Sequence, residues 1–507
     1  MLVVIAGDMR DDDPAALVPT CPHAYNRHDP QPGRGPPAKE QTVTRFGLLL
    51  AVIIGGGLNG QLAADPPNVI IFIADDMAVD DCGAYGHPKI RTPNIDSLAG
   101  AGMTFTNAFL TTSSCSPSRC SILTGRYPHA TGGHQLHLPL PGSQVTMAER
   151  LKAGGYYTAA AGKWHLGQAA IKKFDTVRPK INTWLQTLKD RPRDKPFFMW
   201  FAFVDPHRPY RPGAIPKPHT AEDAVVPPFL PDLPETRKDL ALYYDEIARM
   251  DGVIGRVLDE LDEQGETDNT MVLFLSDNGR PFPRCKTTLY DSGIKTPLLV
   301  RFPGVVVPGS TCRSVVSSVD LAPTILDICG VRAPKTFQGR SFSPLLSRPS
   351  KTIRRYAYAE HNWHDFDDHG RSVHSVRFNY IRNYYTDIPG TPPADAVRSI
   401  TYQAMRRLRD ADRLNDNQKS CFIKPRPREE LYDVENDPFE LLNLAEVAKY
   451  APVLKQMREA LVAWEIETDD HVPKKRRADE FDRETGDRLK GVRRKTKRKA
   501  RKKKAAK

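Results

Sequence analysis

The chain has 507 residues and a formal net charge of +12, so it is long enough for one large domain and a smaller one. Residues 473–507 contain 18 Lys and Arg against 5 Asp and Glu, and the remaining chain is close to neutral. A near-neutral body argues against nucleic-acid binding by the protein as a whole and confines that possibility to the tail.

The beginning of the chain carries an export pattern. Arg45 precedes the apolar run 46–54, and Leu62-Ala63-Ala64 offers small residues for cleavage. This predicts a secretory signal peptide over 43–64, too short to span a membrane stably. Residues 1–42 are rich in Pro, Asp and Arg and fit no export signal, so we interpret them as a misassigned leader. We expect a secreted or periplasmic protein.

The first predicted strand is the apolar, β-branched run 68–74, typical of a strand buried in a parallel sheet. Asp75 and Asp76 follow at its carboxyl end, where open α/β sheets bind ligands. Two adjacent carboxylates repel each other unless a cation lies between them, and oxygen ligands suit calcium or magnesium. The alternative is an Asp pair that starts a turn.

The segment Cys115-Ser116-Pro117-Ser118-Arg119 is followed by Leu123-Thr124-Gly125. A Cys/Ser/Pro loop before a helix, with a disulfide, is the ordinary interpretation. Eight cysteines are present; without Cys21 in the leader and Cys115, six remain that an exported protein could pair. The sequence does not give their connectivity.

Four further segments place polar residues after predicted strands or in turns. Lys163 and His165 lie in Gly-Lys-Trp-His, and Asp205-Pro206-His207 follows the apolar strand 197–203. A helix is predicted from Tyr243 to Gln264 by apolar residues at three- and four-residue spacing. The strand 271–275 is then followed by Asp277-Asn278, an ordinary turn by itself. Lys286 stands four residues before Tyr290.

The chain divides into five parts by composition and pattern. Alternating strands and helices predict an α/β domain over 65–345. A smaller subdomain follows over 350–470, with a strand at 380–385 and a closing helix from 445 to 468. Residues 473–507 are expected to be a disordered basic tail. The other two parts are the leader at 1–42 and the signal peptide at 43–64.

The Cys-x-Pro-x-Arg segment with its Leu-Thr-Gly resembles the signature of the sulfatase family, in which this cysteine is oxidised to Cα-formylglycine. The resemblance runs from about Asn68 to Asp470. It implies an α/β sandwich of the alkaline-phosphatase/sulfatase type with a central, mostly parallel sheet and a C-terminal α+β subdomain. It also implies that the hydrated aldehyde attacks sulfur and later releases the sulfate.

Family roles transfer to matching positions of this chain. The resemblance implies one Ca²⁺ held by Asp75, Asp76, Asp277 and Asn278, with modified Cys115 as a further ligand. Arg119, Lys163 and Lys286 would hold the sulfate charge. His165 is assigned to the diol, His207 to the leaving group and Asp205 to substrate binding.

Several stretches resemble the heparan N-sulfatase branch, including Asp205–Arg208, Arg249–Gly252 and Pro281-Phe282-Pro283. They predict exo-acting removal of sulfate from N-sulfoglucosamine. The connection at 167–196 is short and the stretch 211–238 is rich in proline, and loops of this kind build substrate pockets. The alternative of an O-sulfatase that acts on another sulfated glycan therefore stays open. A phosphatase or phosphonate hydrolase shares the fold without the modification signature, and an inactive relative would have lost Cys115 or a carboxylate.

The expected partners are a sulfated glycan and the enzyme that generates formylglycine. The basic tail could contact an anionic polysaccharide, lipid or nucleic acid, or have no specific partner. A homodimer is possible.

Overall fold

The computed structural model describes residues 65–491; the leader, the signal peptide and residues 492–507 lie outside the described residues. The strands of the described part are β1 Asn68–Ala74, β2 Met103–Phe105, β3 Ala108–Phe109, β4 Tyr157–Gly162, β5 Thr176–Arg178, β6 Phe197–Ala202, β7 Thr270–Ser276, β8 Leu298–Arg301, β9 Ser310–Cys312, β10 Val316–Ser317, β11 Ala357–His361, β12 Gly370–His374, β13 Phe378–Asn383 and β14 Glu429–Asp433. Its α-helices are α1 Pro93–Gly100, α2 Cys115–Thr124, α3 Pro128–Thr131, α4 Met147–Ala153, α5 Gln168–Ile171, α6 Trp184–Lys189, α7 Pro234–Glu263, α8 Asp291–Ile294, α9 Leu321–Ile328, α10 Ser343–Ser347, α11 Ala394–Val397, α12 Ile400–Asp410 and α13 Ala451–Thr468.

The large sheet has eight strands in the order β5-β4-β6-β1-β7-β8-β2-β9. Its first five strands all pair in parallel, while β8 is antiparallel to both of its neighbours. β1 is central and pairs with β6 on one side and with β7 on the other. The expected α/β sandwich with a mostly parallel central sheet is confirmed.

Helices cover both faces of this sheet, which explains the uninterrupted apolar run of β1. Ile70 and Phe72 point into a core shared with α7, while Ile71 and Ile73 point into a second core shared with α2, α4 and α9. Every residue of β1 is buried. Burial of a large aliphatic or aromatic side chain contributes roughly 1.5–3 kcal/mol, so the two cores fix the strand from both sides.

The long helix begins earlier than its sequence pattern indicated. α7 spans 30 residues from Pro234, whereas the apolar spacing predicted a start at Tyr243. Proline fits the first turn of a helix, where its missing N–H has no intrahelical partner. The stretch 235–239 is mainly charged, so apolar periodicity could not reveal this part of the helix.

The C-terminal subdomain is an antiparallel sheet, β11-β12-β13-β14, that packs against α13. Leu454, Leu461 and Trp464 of α13 share a core with Tyr380 and Leu431 of the sheet. α13 begins at Ala451 and not at Ala445, because a 3-10 turn at Ala448–Tyr450 precedes it.

The segment 473–491, here called the strap, packs on the body, so the predicted start of the disordered tail at 473 is corrected. Trp363 donates from Nε1 to the Ala478 carbonyl at 3.0 Å, and Arg477 lies over the Trp363 ring at 3.4 Å. The side chain of Phe481 packs against the core that contains α7. The strap contains five acidic and seven basic residues, so its own net charge is small. The net charge summed over 473–507 hid this difference between the strap and the strongly basic residues after it.

The seven cysteines of the described part are all buried and free. None of the disulfides that an exported protein could form is present among residues 65–491. Within residues 65–491, no helix combines the length and apolar composition that a bilayer span requires.

Candidate functional site

Strand register brings the predicted polar residues to one edge of the large sheet. Ala74 of β1 pairs with Ser276 of β7, so Asp75-Asp76 and Asp277-Asn278 emerge side by side. The backbone continues this order past the strand ends. Asp277 N–H donates to the Ala74 carbonyl at 3.1 Å and Asp75 N–H donates to the Asp205 carbonyl at 3.0 Å. This edge is where open α/β sheets bind their ligands.

Cys115 is the first residue of α2, and every residue of that helix is buried. Its Sγ lies 3.7 Å from Asp76 Oδ1. Burial, the largest influence, raises the pKa of the Cys115 thiol well above its usual value despite the nearby Lys163 and Lys286. Because the thiolate is the reactive form of cysteine, the unmodified side chain is a poor nucleophile at neutral pH.

The carboxylates beside Cys115 form a compact group of oxygen donors. Ligand atoms of Asp75, Asp76, Asp277 and Cys115 all lie within 4.8 Å of one another. Asp75 Oδ1 and Asn278 Oδ1 are buried and have no hydrogen-bond partner among the described residues. Buried oxygens without donors are costly unless another positive group satisfies them. The set therefore fits a hard divalent cation such as Ca²⁺ or Mg²⁺.

Three cations surround this group: Arg119 and Lys286 are buried and Lys163 is half-buried. Lys163 Nζ donates to Asp75 Oδ2, and Lys286 Nζ donates to Asp76 Oδ2 at 2.6 Å. Arg119 Nε donates to Asp277 Oδ2 at 2.7 Å. Burial raises the pKa of Asp76, but the charges of Lys286, His207 and Lys163 outweigh it and hold that pKa below its usual value. Burial raises the pKa of Asp277 to about 6, against the charge of Arg119.

The two predicted histidines stand in different surroundings. His165 Nε2 is 2.8 Å from His137 Nδ1, and burial, together with Lys163 and His137, lowers the pKa of His165 well below its usual value. His207 Nδ1 is 2.5 Å from the Arg208 carbonyl oxygen, which requires a proton on Nδ1. His207 Nε2 faces the Asp76 carboxylate at 3.8 Å. A neutral His165 can accept a proton, whereas His207 presents Nε2 at the partly open side of the site.

Asp205 is the one predicted site residue whose side chain is engaged elsewhere. Its carboxylate accepts hydrogen bonds from Arg249 Nε at 2.9 Å and Nη2 at 2.7 Å. Its contribution to the sheet edge is the backbone carbonyl that receives Asp75 N–H. The other predicted site residues lie together: Asp75, Asp76, Cys115, Arg119, Lys163, His165, His207, Asp277, Asn278 and Lys286.

Sequence analysis missed three neighbours of the site. His137 contacts His165, and His364 Nδ1 is 2.7 Å from the Ser114 hydroxyl, next to Cys115. Asp395 Oδ2 is 3.7 Å from His207 Nε2 and 3.9 Å from Lys286 Nζ. The only local signal for Asp395 is its place after Pro392-Pro393 at the start of a short helix.

Comparison with known proteins matches two family models to the chain. "Sulfatase" matches residues 67–178 and 173–331, and "N-sulphoglucosamine sulphohydrolase, C-terminal" matches residues 284–390. Human N-sulphoglucosamine sulphohydrolase is 32% identical over 472 residues, which cover 81% of this chain and 92% of the relative. An ulvan-active sulfatase of Formosa agariphila is 32% identical over 456 residues, covering 78% of this chain and 74% of the relative.

Solved structures share the fold at lower identity. One is a complex with its substrate D-glucosamine-2-N,6-O-disulfate, with a TM-score of 0.62 and 22% identity, covering 81% of this chain and 99% of the other. The phosphonate monoester hydrolase of Agrobacterium radiobacter has a TM-score of 0.60 and 20% identity, covering 79% of this chain and 96% of the other. The fold therefore accommodates both sulfate and phosphonate chemistry, and the site residues must distinguish them.

Proposed function

The chain belongs to the sulfatase family, and on that premise we propose that it removes sulfate from N-sulfoglucosamine at the end of a sulfated saccharide. One observation carries the choice of substrate. The segment 284–390, which contains Lys286, matches the family model "N-sulphoglucosamine sulphohydrolase, C-terminal", and the human N-sulphoglucosamine sulphohydrolase aligns over 92% of its length. The proposal agrees with the branch resemblance around His207 and Pro281-Phe282-Pro283.

We propose that Cys115 acts as formylglycine, whose hydrate would supply a hydroxyl to attack sulfur and a second hydroxyl to expel sulfate. The start of a buried helix beside Asp76 supports this role, as does the raised pKa of the unmodified thiol. His165, held neutral, accepts the proton of the attacking hydroxyl. Lys163 and Lys286 would hold the negatively charged sulfate oxygens, which favours attack of the hydroxyl on sulfur.

The leaving group needs a proton, because a sulfamate nitrogen departs poorly as an anion. His207 is placed to deliver it from Nε2, while Nδ1 is bonded to the Arg208 carbonyl. The divalent cation that we assign to Asp75, Asp76, Asp277 and Asn278 would supply fixed positive charge at the same edge. Calcium is our proposal for that ion, because the donors are all oxygens apart from the Cys115 position.

An O-sulfatase is the second candidate, and a specific observation favours it. The ulvan-active relative is as similar in identity as the human N-sulfatase, and a bacterial N-acetylglucosamine-6-O-sulfatase also aligns over 80% of this chain. Both kinds of substrate present sulfate on a sugar, so the positions of Lys163 and Lys286 do not separate them.

We also propose that the protein is exported, supported by the signal-peptide pattern at 43–64. Formylglycine formation would then require the generating enzyme as a partner. Residues 492–507 contain eleven Lys and Arg and no acidic residue, which supports contact with an anionic polymer.

The test is a substrate panel with the purified, modified enzyme: N-sulfoglucosamine, 6-O-sulfated N-acetylglucosamine, nitrophenyl sulfate and nitrophenyl phosphate. The proposal expects turnover of N-sulfoglucosamine to exceed that of the 6-O-sulfated sugar. The reverse order would establish the O-sulfatase instead. Preference for the phosphate ester would overturn sulfatase action altogether.

A further inference from the structure

The C-terminal subdomain contributes one carboxylate to the edge of the active site. Asp395, in the first turn of α11, places Oδ2 at 3.7 Å from His207 Nε2 and at 3.9 Å from Lys286 Nζ. Its side chain is 20% exposed, whereas that of Lys286 is 1% exposed. Asp395 therefore lies where the buried site residues meet solvent, beside the half-buried His207.

Asp395 Oδ2 keeps its capacity to accept a hydrogen bond. The other oxygen, Oδ1, receives the N–H of Ala396 at 2.8 Å. His207 Nε2 and Lys286 Nζ are both too far from Oδ2 for a hydrogen bond. Each of these two side chains is held by another partner. Lys286 donates to Asp76 at 2.6 Å, and the His207 ring is fixed through Nδ1 by the Arg208 carbonyl.

The charge of Asp395 decides which part of a substrate it can face. A carboxylate repels a sulfate group placed against it, so the sulfate must lie on the side of Lys163 and Cys115. Asp395 then faces the part of the substrate that carries no sulfate. Ionised carboxylates only accept hydrogen bonds, and the donors that a sugar offers are hydroxyl and amine groups.

We propose that Asp395 is a specificity-determining residue that accepts a hydrogen bond from a sugar hydroxyl or amine next to the departing sulfate. This inference rests on the proposed function in one respect, namely that the substrate is a sulfated sugar. It favours saccharides over sulfate esters whose leaving group has no donor.

Contacts behind Asp395 hold it in this position. The N–H of Ala394 donates to Asp365 Oδ2 at 3.1 Å, and the Asp365 carbonyl accepts the N–H of Glu480 in the strap at 2.8 Å. Arg398, at the end of α11, also donates to the Gly486 carbonyl of the strap. α11 is therefore held at both of its ends, by the contacts of Ala394 and Arg398. A fixed helix suits a residue that must contact a sugar in one orientation.

Asp395→Asn tests the proposal, because asparagine has nearly the same shape and can keep the bond to Ala396 N–H. The measured quantity is the ratio of kcat/KM for N-sulfoglucosamine to kcat/KM for nitrophenyl sulfate, which has no hydroxyl donor beside the sulfate. We expect this ratio to fall roughly 10- to 100-fold, the range for loss of a hydrogen bond to a charged group. Asp416→Asn, a fully exposed aspartate of the same subdomain, is the control and should leave the ratio unchanged.

Three results would overturn the role of Asp395. An equal loss on both substrates would mean that it acts on sulfate binding through Lys286, and an unchanged ratio with full activity would mean that it contacts neither Lys286 nor the sugar. Asp395→Asn made in the His207→Ala variant should lower the ratio again, and no further fall would mean that Asp395 acts through His207 and not on the sugar. If the wild-type enzyme cleaves only an O-sulfated sugar, the N-sulfatase proposal fails, and the same ratio measured with that sugar still decides the role of Asp395. Circular dichroism of the variant confirms that its fold is intact.

Discussion

Arg119 and Asp277 form a salt bridge from which solvent is excluded completely: Nε donates to Oδ2 at 2.7 Å, and both side chains are 0% exposed. Arg119 Nη1 also donates to the Lys163 carbonyl at 3.2 Å. One guanidinium thus connects α2, which begins with Cys115, to the ends of β7 and β4. Removal of one partner from a buried pair costs about 3–5 kcal/mol, because the other charge is left uncompensated. Arg119 therefore fixes the position of Cys115 as well as adding positive charge.

Cys115 is expected to be formylglycine in active enzyme. Peptide mass spectrometry should find the Cys115 peptide lighter than the cysteine form by the mass of H₂S lost less that of the oxygen gained. Cys120, five residues on and buried in the same helix, is the internal control and should remain a thiol. Cys115→Ala should fold and lose turnover, because the change removes a nucleophile and little packing. Only unmodified thiol in an active preparation would contradict the mechanism.

A divalent cation is expected to stabilise the folded protein. Removal by a chelator should abolish turnover, and returning Ca²⁺ should restore it. At a hundredfold excess over Kd, the ion should add about 2.7 kcal/mol to the free energy of unfolding. Asp75→Asn should reduce this gain, because Asp75 Oδ1 is one of the buried oxygens without a donor.

Asp416→Asn serves as the control for the metal experiment and should respond like the wild type, since its carboxylate is fully exposed. Differential scanning fluorimetry with Ca²⁺, Mg²⁺ and Zn²⁺ measures the shift. A larger shift with Zn²⁺, or none with any ion, would contradict the assignment.

Local sequence was sufficient for the sheet edge and the residues that end its strands. β1 coincides with the apolar run 68–74, and β7 extends the run 271–275 by one residue at each end. Strands buried on both faces are apolar throughout, and the residues directly after them must lie at the carboxyl edge. Asp75, Asp76, Asp277 and Asn278 could therefore be placed from their order along the chain, whereas Cys115, Lys163 and Lys286 were placed by the family resemblance.

Residues that reach the site from the C-terminal subdomain could not be predicted in this way. Asp395 and His364 depend on how the antiparallel sheet packs against the catalytic domain, and no short pattern encodes that packing. The strap was missed for another reason. Its contacts are individual pairs, such as Arg477 on Trp363, within a segment whose composition is typical of disorder.

Truncation should separate the strap from the final basic residues. A protein ending at Gly491 should retain its thermal stability and its turnover. It should bind anionic polysaccharide less tightly, with a weaker dependence on salt, because eleven positive charges are removed. A protein ending at Val472 should be less stable and should lose more activity on a sulfated sugar than on nitrophenyl sulfate, since Asp365 and Arg398 lose their partners.

Loss of nitrophenyl sulfate turnover in the folded protein ending at Gly491 would place residues 492–507 in the active site. Equal stability of the two truncated proteins would show that the strap contacts contribute nothing measurable.

Asp470 should make stability depend on pH in acid. Burial raises the pKa of Asp470, but the hydrogen bonds and charge of Arg371 outweigh it and lower the pKa to about 2. A lowered carboxyl pKa stabilises the fold above the unfolded value of about 4 and loses that effect as the pH falls through about 2. Asp470→Asn should therefore cost roughly 2–3 kcal/mol at pH 5, and the difference should shrink towards pH 2.

Denaturant unfolding at several pH values measures this difference. Asp469→Asn is the matched control, because Asp469 is exposed and has a φ of 56°, which asparagine tolerates. A cost for Asp470→Asn that stays constant from pH 5 to pH 2 would rule out the lowered pKa.

His207 should matter most when the leaving group needs a proton. A sulfamate nitrogen is a poor anion, whereas nitrophenolate leaves readily without help. His207→Ala should therefore lose roughly 10²–10⁴-fold in kcat on N-sulfoglucosamine, the usual range for proton-transfer catalysis, and far less on nitrophenyl sulfate. His471→Ala, which changes an exposed histidine, should leave both rates intact. Equal losses on the two substrates would show that His207 binds the sulfate and does not protonate the leaving group.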